Sequence, residues 1–125
     1  MKKVISTTNA PAAIGPYSQA VEVNGMIFIS GQTPMDPSTG QLAPGGVKEQ
    51  AEQCFKNIKA ILTEAGLTTD NIVKTTVFLG DMSYFADMNE VYAKQFEGSF
   101  PARSAIAAKG LPLNCMVEIE VIAVR

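Results

Sequence analysis

The segment FPARS at residues 100–104 offers the clearest basis for chemistry, because it places a permanent cation where a strand begins. Pro101 lacks an amide hydrogen, so it suits the start of a strand and not its middle. In an extended segment, Arg103 shares one face with the small residues Ala105 and Ala107. A planar guanidinium beside small residues suits a carboxylate held by two parallel hydrogen bonds. A surface arginine in an ordinary salt bridge is the alternative.

The composition excludes several kinds of catalytic site. The 125 residues include no histidine, which rules out Ser-His-Asp and Cys-His catalysis and every metal site with histidine ligands. Cys54 and Cys115 lie far apart in the sequence, and two thiols without CxxC spacing do not form a structural zinc site. We therefore expect reduced thiols in a cytoplasmic protein.

Charge and length limit the possible partners. The net charge is −2, the pI is near 5.0, and the basic residues are scattered. Binding to nucleic acid needs clustered cations, so no nucleic-acid partner is expected.

The length predicts one domain over residues 1–125. No apolar run approaches the roughly 20 residues that span a membrane, and polar residues follow the N-terminus too soon for a signal peptide.

The elements that must position Arg103 can be predicted from turn signals and periodicity. Asn24-Gly25 predicts a hairpin between strands at 20–23 and 26–30, and a first short strand is expected at 4–6. Residues 36–40 are typical of a turn. Apolar residues at steps of three and four predict a helix that ends at Gly66, with Cys54 packed on its buried face. That face consists of Val47, Ala51, Cys54, Phe55, Ile58, Ile61, Leu62 and Ala65.

The second half of the chain repeats this alternation of strand and helix. A β-branched run predicts a strand over 72–79, and Asp81 or Ser83 is expected to cap a second helix. Its apolar face consists of Phe85, Met88, Val91, Tyr92 and Phe96. A closing strand over 116–124 has an apolar face of Val117, Ile119, Val121 and Ala123.

The element order β-ββ-α-β-α-ββ predicts an α+β fold with both helices on one face of a sheet. The uncovered face of the last strand then mixes apolar residues with Glu118 and Glu120. Hydrophobic residues make up 46% of the chain, which is rich for so small a domain. We therefore expect a partner subunit to cover this face, with a site at the subunit boundary.

Six segments resemble the RidA family in sequence, order and spacing: APAAIGPYSQA (10–20), ISGQ (29–32), KTTVF (74–78), MNEVY (88–92), FPARS (100–104) and VEIEV (117–121). The resemblance implies a chorismate-mutase-like α+β fold and a homotrimer with three clefts between subunits. It also implies a deaminase that hydrolyses 2-imino acids, released by pyridoxal-phosphate enzymes, to 2-keto acids and ammonia. No metal or cofactor is implied, since imines already hydrolyse in water.

The resemblance also implies roles for three candidate catalytic residues. Arg103 would hold the substrate carboxylate, Glu118 would position or activate the attacking water, and Tyr17 would close over the substrate. Each has a plainer interpretation from the sequence alone. Tyr17 beside Pro16 is also typical of a packed loop aromatic, and Glu118 is also typical of a strand with one solvated face.

Four further residues are implied to contact the substrate or line the pocket. Ser30 and Gly31 would line it, Asn89 would support it from the second helix, and Ala105 would lie beside Arg103. Ser30 is also typical of a strand end, and Asn89 of an exposed helix position. Ala105 stands where many relatives carry cysteine. Because hydrolysis by water needs no thiol nucleophile, we expect activity to survive this change.

Two other functions remain as alternatives. The first is a regulatory protein that binds a small carboxylate without turnover. The second is an endoribonuclease, a name borne by some family members. Scattered charge, the low pI and the absence of histidine argue against RNA cleavage.

Overall fold

A six-stranded mixed sheet is the frame of the domain, and it contains five of the seven candidate site residues; Tyr17 lies in the loop before the second strand, and Asn89 lies on the second helix. The computed structural model describes residues 1–125. The strands are β1 (Lys3–Ile5), β2 (Ala20–Val23), β3 (Met26–Gln32), β4 (Met35–Asp36), β5 (Gln41–Leu42), β6 (Ile72–Leu79), β7 (Ala102–Ala107) and β8 (Val117–Val124). The order in the large sheet is β1-β2-β3-β8-β6-β7, in which only β6 and β7 are parallel.

Two helices cover one face of this sheet. They are α1 (Val47–Glu64) and α2 (Phe85–Ala93). After α1, Gly66 has a φ of +77°, a left-handed conformation that glycine adopts readily and that ends the helix where predicted. Asp81 accepts a hydrogen bond of 2.8 Å from the Ser83 amide and caps a 3-10 turn that leads into α2. Asp81, and not Ser83, is therefore the cap.

The mixed α+β arrangement with two helices on one face is confirmed, and the differences are local. The first strand lies at 3–5, one residue earlier than expected. The turn at 36–40 joins β4 to β5, a small hairpin that was not predicted. Strands of two residues are too short to show any alternation of polar and apolar side chains. The predicted hairpin turn is present, since Asn24 and Gly25 both have positive φ angles of 51° and 77°.

The core lies between the helices and the sheet. The apolar stripe of α1 packs there, and Cys54 is fully buried on it as predicted. The side chains of β8 alternate as predicted, because Val117, Ile119, Val121 and Ala123 are buried beneath the helices. The opposite face of the sheet, here called the open face, carries exposed apolar residues such as Phe28 and Ile106 among the polar ones. No helix in the structure is both long enough and apolar enough to cross a membrane.

Candidate active site

A bulge in β3 begins the site on the open face. The register of β3 against β8 passes from Ile29 opposite Val121 to Gln32 opposite Ile119. Between these two pairs, β3 advances by three residues while β8 advances by two. The extra residue of β3 therefore falls at Ser30-Gly31. A bulge bends its strand and changes the direction of nearby side chains. Here it shapes the strand beside Glu118.

Gly31 leaves the space that the Glu118 carboxylate occupies. A Cβ atom at residue 31 would lie 3.0 Å from Cδ of Glu118 and 3.2 Å from its Oε2. Such contacts are tighter than most in packed proteins, so a side chain at residue 31 would press on the carboxylate and shift it by a few tenths of an ångström. The glycine is thus favoured here by the close approach of Glu118 and not by an unusual φ angle.

A cleft of about 750 Å³ lies over the bulge on the open face. It brings together four of the predicted residues: Tyr17, Ser30, Gly31 and Glu118. Sequence analysis did not assign its other lining residues, which include Ile14, Met35, Phe78, Pro112, Leu113 and Glu120. Leu113 is exposed on a turn where it and Asn114 both have positive φ angles, and no motif in the sequence indicated that conformation.

The cleft is acidic, and its key carboxylate is only partly solvated. Glu118 is half-buried, and this desolvation raises the pKa of its carboxyl above the ordinary value. The negative charge of Glu120, two residues along the same face, raises the pKa of Glu118 further. No lysine or arginine lines the cleft. A carboxylate in these surroundings is a better proton acceptor than one in water, and it favours a cationic ligand.

Tyr17 reaches the cleft from the loop that precedes β2. The residue is 53% exposed, so it is not the packed loop aromatic that the sequence also allowed. Below it, the Ser30 hydroxyl donates a 2.7 Å hydrogen bond to the Ser18 carbonyl. The Ser30 amide donates another of 2.9 Å to the Gln19 carbonyl. The hydroxyl proton of Ser30 therefore holds the loop, while its oxygen remains able to accept a bond from a ligand.

Arg103 lies on the opposite face of the sheet, on the side of the helices. It pairs with Thr75 of β6, whose side chain is fully buried against that side. Its Nη1 donates a 2.7 Å hydrogen bond to Oδ1 of Asn89 on α2. Ala105 follows two residues later on the same face and packs against the core. The structure thus brings together the other three predicted residues, Arg103, Asn89 and Ala105.

Two aromatic rings support the Arg103 guanidinium. Its Cζ lies 4.6 Å from the centre of the Tyr92 ring and 5.4 Å from that of Phe85. The Tyr92 hydroxyl and the Thr75 hydroxyl share a buried hydrogen bond of 2.7 Å, which fixes the nearer ring. Cation–π contact orients the guanidinium while consuming none of its N–H donors. Sequence analysis placed both aromatic residues on the apolar face of α2 but did not connect them to Arg103.

Arg103 has no carboxylate partner within the chain. The ion pairs of the structure are Lys48 with Glu90 and Arg125 with Glu22. The ordinary salt bridge that the sequence left open is therefore contradicted. Of the five donors of the guanidinium, Asn89 occupies one, so a fork of donors remains for an anionic ligand.

The seven predicted residues thus form two groups, one on each face of the sheet. Glu118 faces away from the helices, because its neighbours Val117 and Ile119 are fully buried beneath them. Arg103 faces toward the helices. One chain therefore does not bring Arg103 and Glu118 together around one small ligand.

The thiols lie outside the cleft. Cys54 and Cys115 are both free and buried, and burial raises the pKa of each thiol. The Sγ atoms approach the Val117 carbonyl oxygen, at 3.7 Å and 3.4 Å respectively. In addition, no group of three or more Cys, Asp or Glu side chains is arranged to hold a metal ion.

Comparison with known proteins decides the family. A family model described as Endoribonuclease L-PSP matches residues 7–125. The mouse protein named 2-iminobutanoate/2-iminopropanoate deaminase is 58% identical over 125 residues, which cover all of this chain and 93% of the mouse protein. The chain belongs to this family, the RidA family.

Solved structures of RidA-family proteins share the fold. A Rid family protein from Yersinia pestis is 48% identical, with a TM-score of 0.97 and full coverage of both chains. The structure of E. coli TdcF with bound serine is 45% identical, with a TM-score of 0.94 and 98% coverage of each chain. The resemblance noted in the sequence is therefore confirmed, both by the family model and by these structures.

The electrostatic coupling in the cleft of this RidA-family protein can be tested directly. Glu120→Gln removes one negative charge, so the pKa of Glu118 should fall but remain above the ordinary value, because burial is the larger cause. Titration of the side-chain carboxyl carbons by NMR measures this shift. Glu64→Gln, at the end of α1 and outside the cleft, removes the same charge and should leave the pKa of Glu118 unchanged. An unshifted pKa in Glu120→Gln would contradict the coupling.

Proposed function

We propose that this protein hydrolyses 2-imino acids to 2-keto acids and ammonia. The observation that carries the proposal is an arginine held in a fixed orientation, with free donors and no carboxylate partner of its own. Such a group is suited to bind the carboxylate of a small acid. Mouse, rat and bovine relatives named 2-iminobutanoate/2-iminopropanoate deaminase support the choice of acid, at 54–58% identity over the full chain.

The site is proposed to form between two copies of the chain. Arg103 and Glu118 lie on opposite faces of one sheet, so a neighbouring copy must bring its Arg103 to the cleft that contains Glu118. The exposed apolar residues of the open face favour such an association. With the family resemblance, this supports a homotrimer of single domains spanning residues 1–125. Each domain would have a chorismate-mutase-like fold, and the trimer would have three equivalent clefts.

In this arrangement Arg103 binds and orients the substrate. Two parallel N–H donors to the carboxylate would fix the plane of the 2-imino acid, while Asn89 and the Tyr92 ring hold the guanidinium still. Ala105 beside it leaves room for the ligand. These contacts exist equally in substrate and transition state, so they give affinity and orientation, and acceleration must come from the other wall of the cleft.

Glu118 supplies that acceleration by accepting a proton from the attacking water. As the water oxygen bonds to the imine carbon, its proton passes to the Glu118 carboxylate and a carbinolamine forms. The proton then passes from Glu118 to the nitrogen, which becomes an ammonia leaving group. As the C–N bond breaks, the carbinolamine hydroxyl gives its proton to the ionised Glu118 and becomes the keto oxygen, and the 2-keto acid and ammonia leave, the ammonia carrying that proton away as ammonium. The acidic cleft favours the protonated, cationic imine, which is the form more readily attacked. No metal or cofactor is required for these steps.

The remaining residues shape the cleft around this reaction. Tyr17 would cover the bound imine and exclude bulk water, and Gly31 would keep Glu118 against the strand. Ser30 would accept a hydrogen bond from the imine nitrogen while its proton holds the loop. The two free, buried thiols suit the cytoplasm, which we propose as the location of the protein.

A second candidate function is binding of a small carboxylate without turnover. The structure of E. coli TdcF with bound serine favours it, because a relative 45% identical holds an amino acid. Cleavage of RNA is not favoured, despite the description of the family model. Within one chain the cleft has two carboxylates and no basic residue, and one Arg103 from a neighbouring copy does not supply the cluster of cations that a phosphate backbone needs.

Turnover of a freshly generated imine separates the two candidates. A threonine dehydratase releases 2-iminobutanoate, and semicarbazide competes for it. The proposal predicts that added protein speeds 2-ketobutyrate formation and lowers the yield of trapped imine. Because the ionised form of Glu118 is the active one, kcat/KM should decrease as the pH falls through the raised pKa of that group. Saturable binding of 2-ketobutyrate without any acceleration would instead establish the binding protein.

Substitution of Arg103 tests the carboxylate contact. Lysine keeps the charge but not the fork of donors, so Arg103→Lys should lose about 10- to 100-fold in kcat/KM, and Arg103→Ala should lose more. Arg125→Lys is the matched control, since Arg125 pairs with Glu22 beside the β2–β3 hairpin and lies outside the cleft. Steady-state kinetics on folded variants gives the comparison. Equal activities for the two lysine variants would show that Arg103 does not bind the substrate.

A further inference from the structure

The loop that carries Tyr17 has little regular structure of its own. Residues 7–18 lie between β1 and β2 and form neither helix nor strand. The loop places Ile14 and Tyr17 at the cleft, with exposed fractions of 83% and 53% respectively. Side chains so exposed gain little positional stability from packing, so whatever holds the backbone beneath them also sets their position over the cleft.

The Gln19 side chain holds this loop from below. It is 4% exposed and belongs to the residue directly before β2. Its Oε1 accepts a 2.7 Å hydrogen bond from the Thr7 amide. Its Nε2 donates to the carbonyls of Thr7 at 3.0 Å and Pro11 at 2.8 Å, with a longer contact of 3.3 Å to that of Ala10. One buried side chain thus joins three points of the loop.

The pattern of these bonds suits the donors and acceptor of a glutamine amide. The amide has one acceptor oxygen and two N–H donors, and here it faces one backbone donor and a group of carbonyls. A carboxylate would repel the carbonyls, a shorter amide would not reach them, and an apolar residue would leave buried backbone groups unpaired. No buried side-chain polar atom in the structure lacks a partner, so this network is fully satisfied.

The opposite end of the loop is held by a different residue. Ser30 bonds to the carbonyls of Ser18 and Gln19. Between the two anchors the chain turns at Gly15, which has a φ of +123° and accepts a 2.9 Å hydrogen bond from the Tyr17 amide. The segment that bears Tyr17 is therefore fixed at both ends. The Gln19 side chain bonds to residues 7–11 before it, and Ser30 bonds to residues 18 and 19 after it.

We propose that Gln19 is a positioning residue, which sets the loop over the cleft and acts on the ligand through Tyr17. This inference rests on the proposed function only for its kinetic readout. If Tyr17 covers substrate and transition state alike, misplacing it weakens binding more than it slows the chemical step. Gln19→Met, which is close in volume but cannot make the bonds, should raise KM about tenfold while kcat changes less.

A double-mutant cycle distinguishes positioning from a general loss of stability. Because Gln19 acts through Tyr17, Gln19→Met added to Tyr17→Ala should raise KM little beyond Tyr17→Ala alone. The matched control is Asn71→Leu, which also removes two side-chain bonds to backbone, to the Val124 carbonyl and from the Thr68 amide, but far from the loop. It should lower the melting temperature and leave KM unchanged. The proposal would be overturned if the KM of the double variant rose by the product of the two single increases. It would also be overturned if Asn71→Leu raised KM as much as Gln19→Met does.

Amide hydrogen exchange tests the same inference without turnover and without a folded Gln19 variant. In the wild-type protein the Thr7 amide should exchange slowly, because it donates to Gln19 Oε1. Added 2-ketobutyrate should slow exchange across the loop further, including the amide of Tyr17. Fast exchange at Thr7 would contradict the positioning role. If the loop amides exchange slowly but the protein does not hydrolyse the imine, the positioning role of Gln19 is supported and the proposed function is contradicted.

Discussion

The alternation of side chains along a strand is the constraint on which the rest of the site depends. Because α1 and α2 bury Val117 and Ile119, Glu118 must point to the open face. Because Thr75 is buried beside it, Arg103 must point to the helices. The same packing that stabilises the domain therefore separates the two groups to which the proposed function assigns the main roles. Under the proposed function, one chain holds only part of the site, and association of copies would complete it.

Each half of the site is prepared by neighbours that belong to the fold. The buried bond between Tyr92 and Thr75 fixes the ring beneath Arg103. The bulge at Ser30-Gly31 fixes the strand beside Glu118. In both places the functional group retains its capacity to interact, since the guanidinium has free donors and the carboxylate is only partly solvated. Because these groups are already ordered in the folded protein, less conformational entropy is lost when a ligand binds.

Much of the fold could be predicted because its signals are local. Asn24-Gly25 specifies a hairpin, and the stripe from Val47 to Ala65 specifies a buried helix. The β4–β5 hairpin could not be predicted, because its strands are too short to carry a pattern. For the site, the seven candidates came from the family resemblance, and only Arg103 was singled out by residue chemistry alone. Their division between two faces depends on the pairing of β6, β7 and β8. The supports of Arg103 and the contacts of Gln19 are three-dimensional and have no sequence signature of their own.

Activity in mixed assemblies tests the division of the site between copies most directly. Arg103→Ala and Glu118→Gln chains, carrying different affinity tags, would be co-expressed and purified through both tags to give only mixed trimers. In the proposed trimer, either mixed composition has one cleft of three that joins an intact Arg103 to an intact Glu118. Mixed trimers should therefore recover about one third of wild-type imine hydrolysis per trimer, although each parent variant is nearly inactive. Mixed trimers as inactive as the parents would contradict a site built from two subunits.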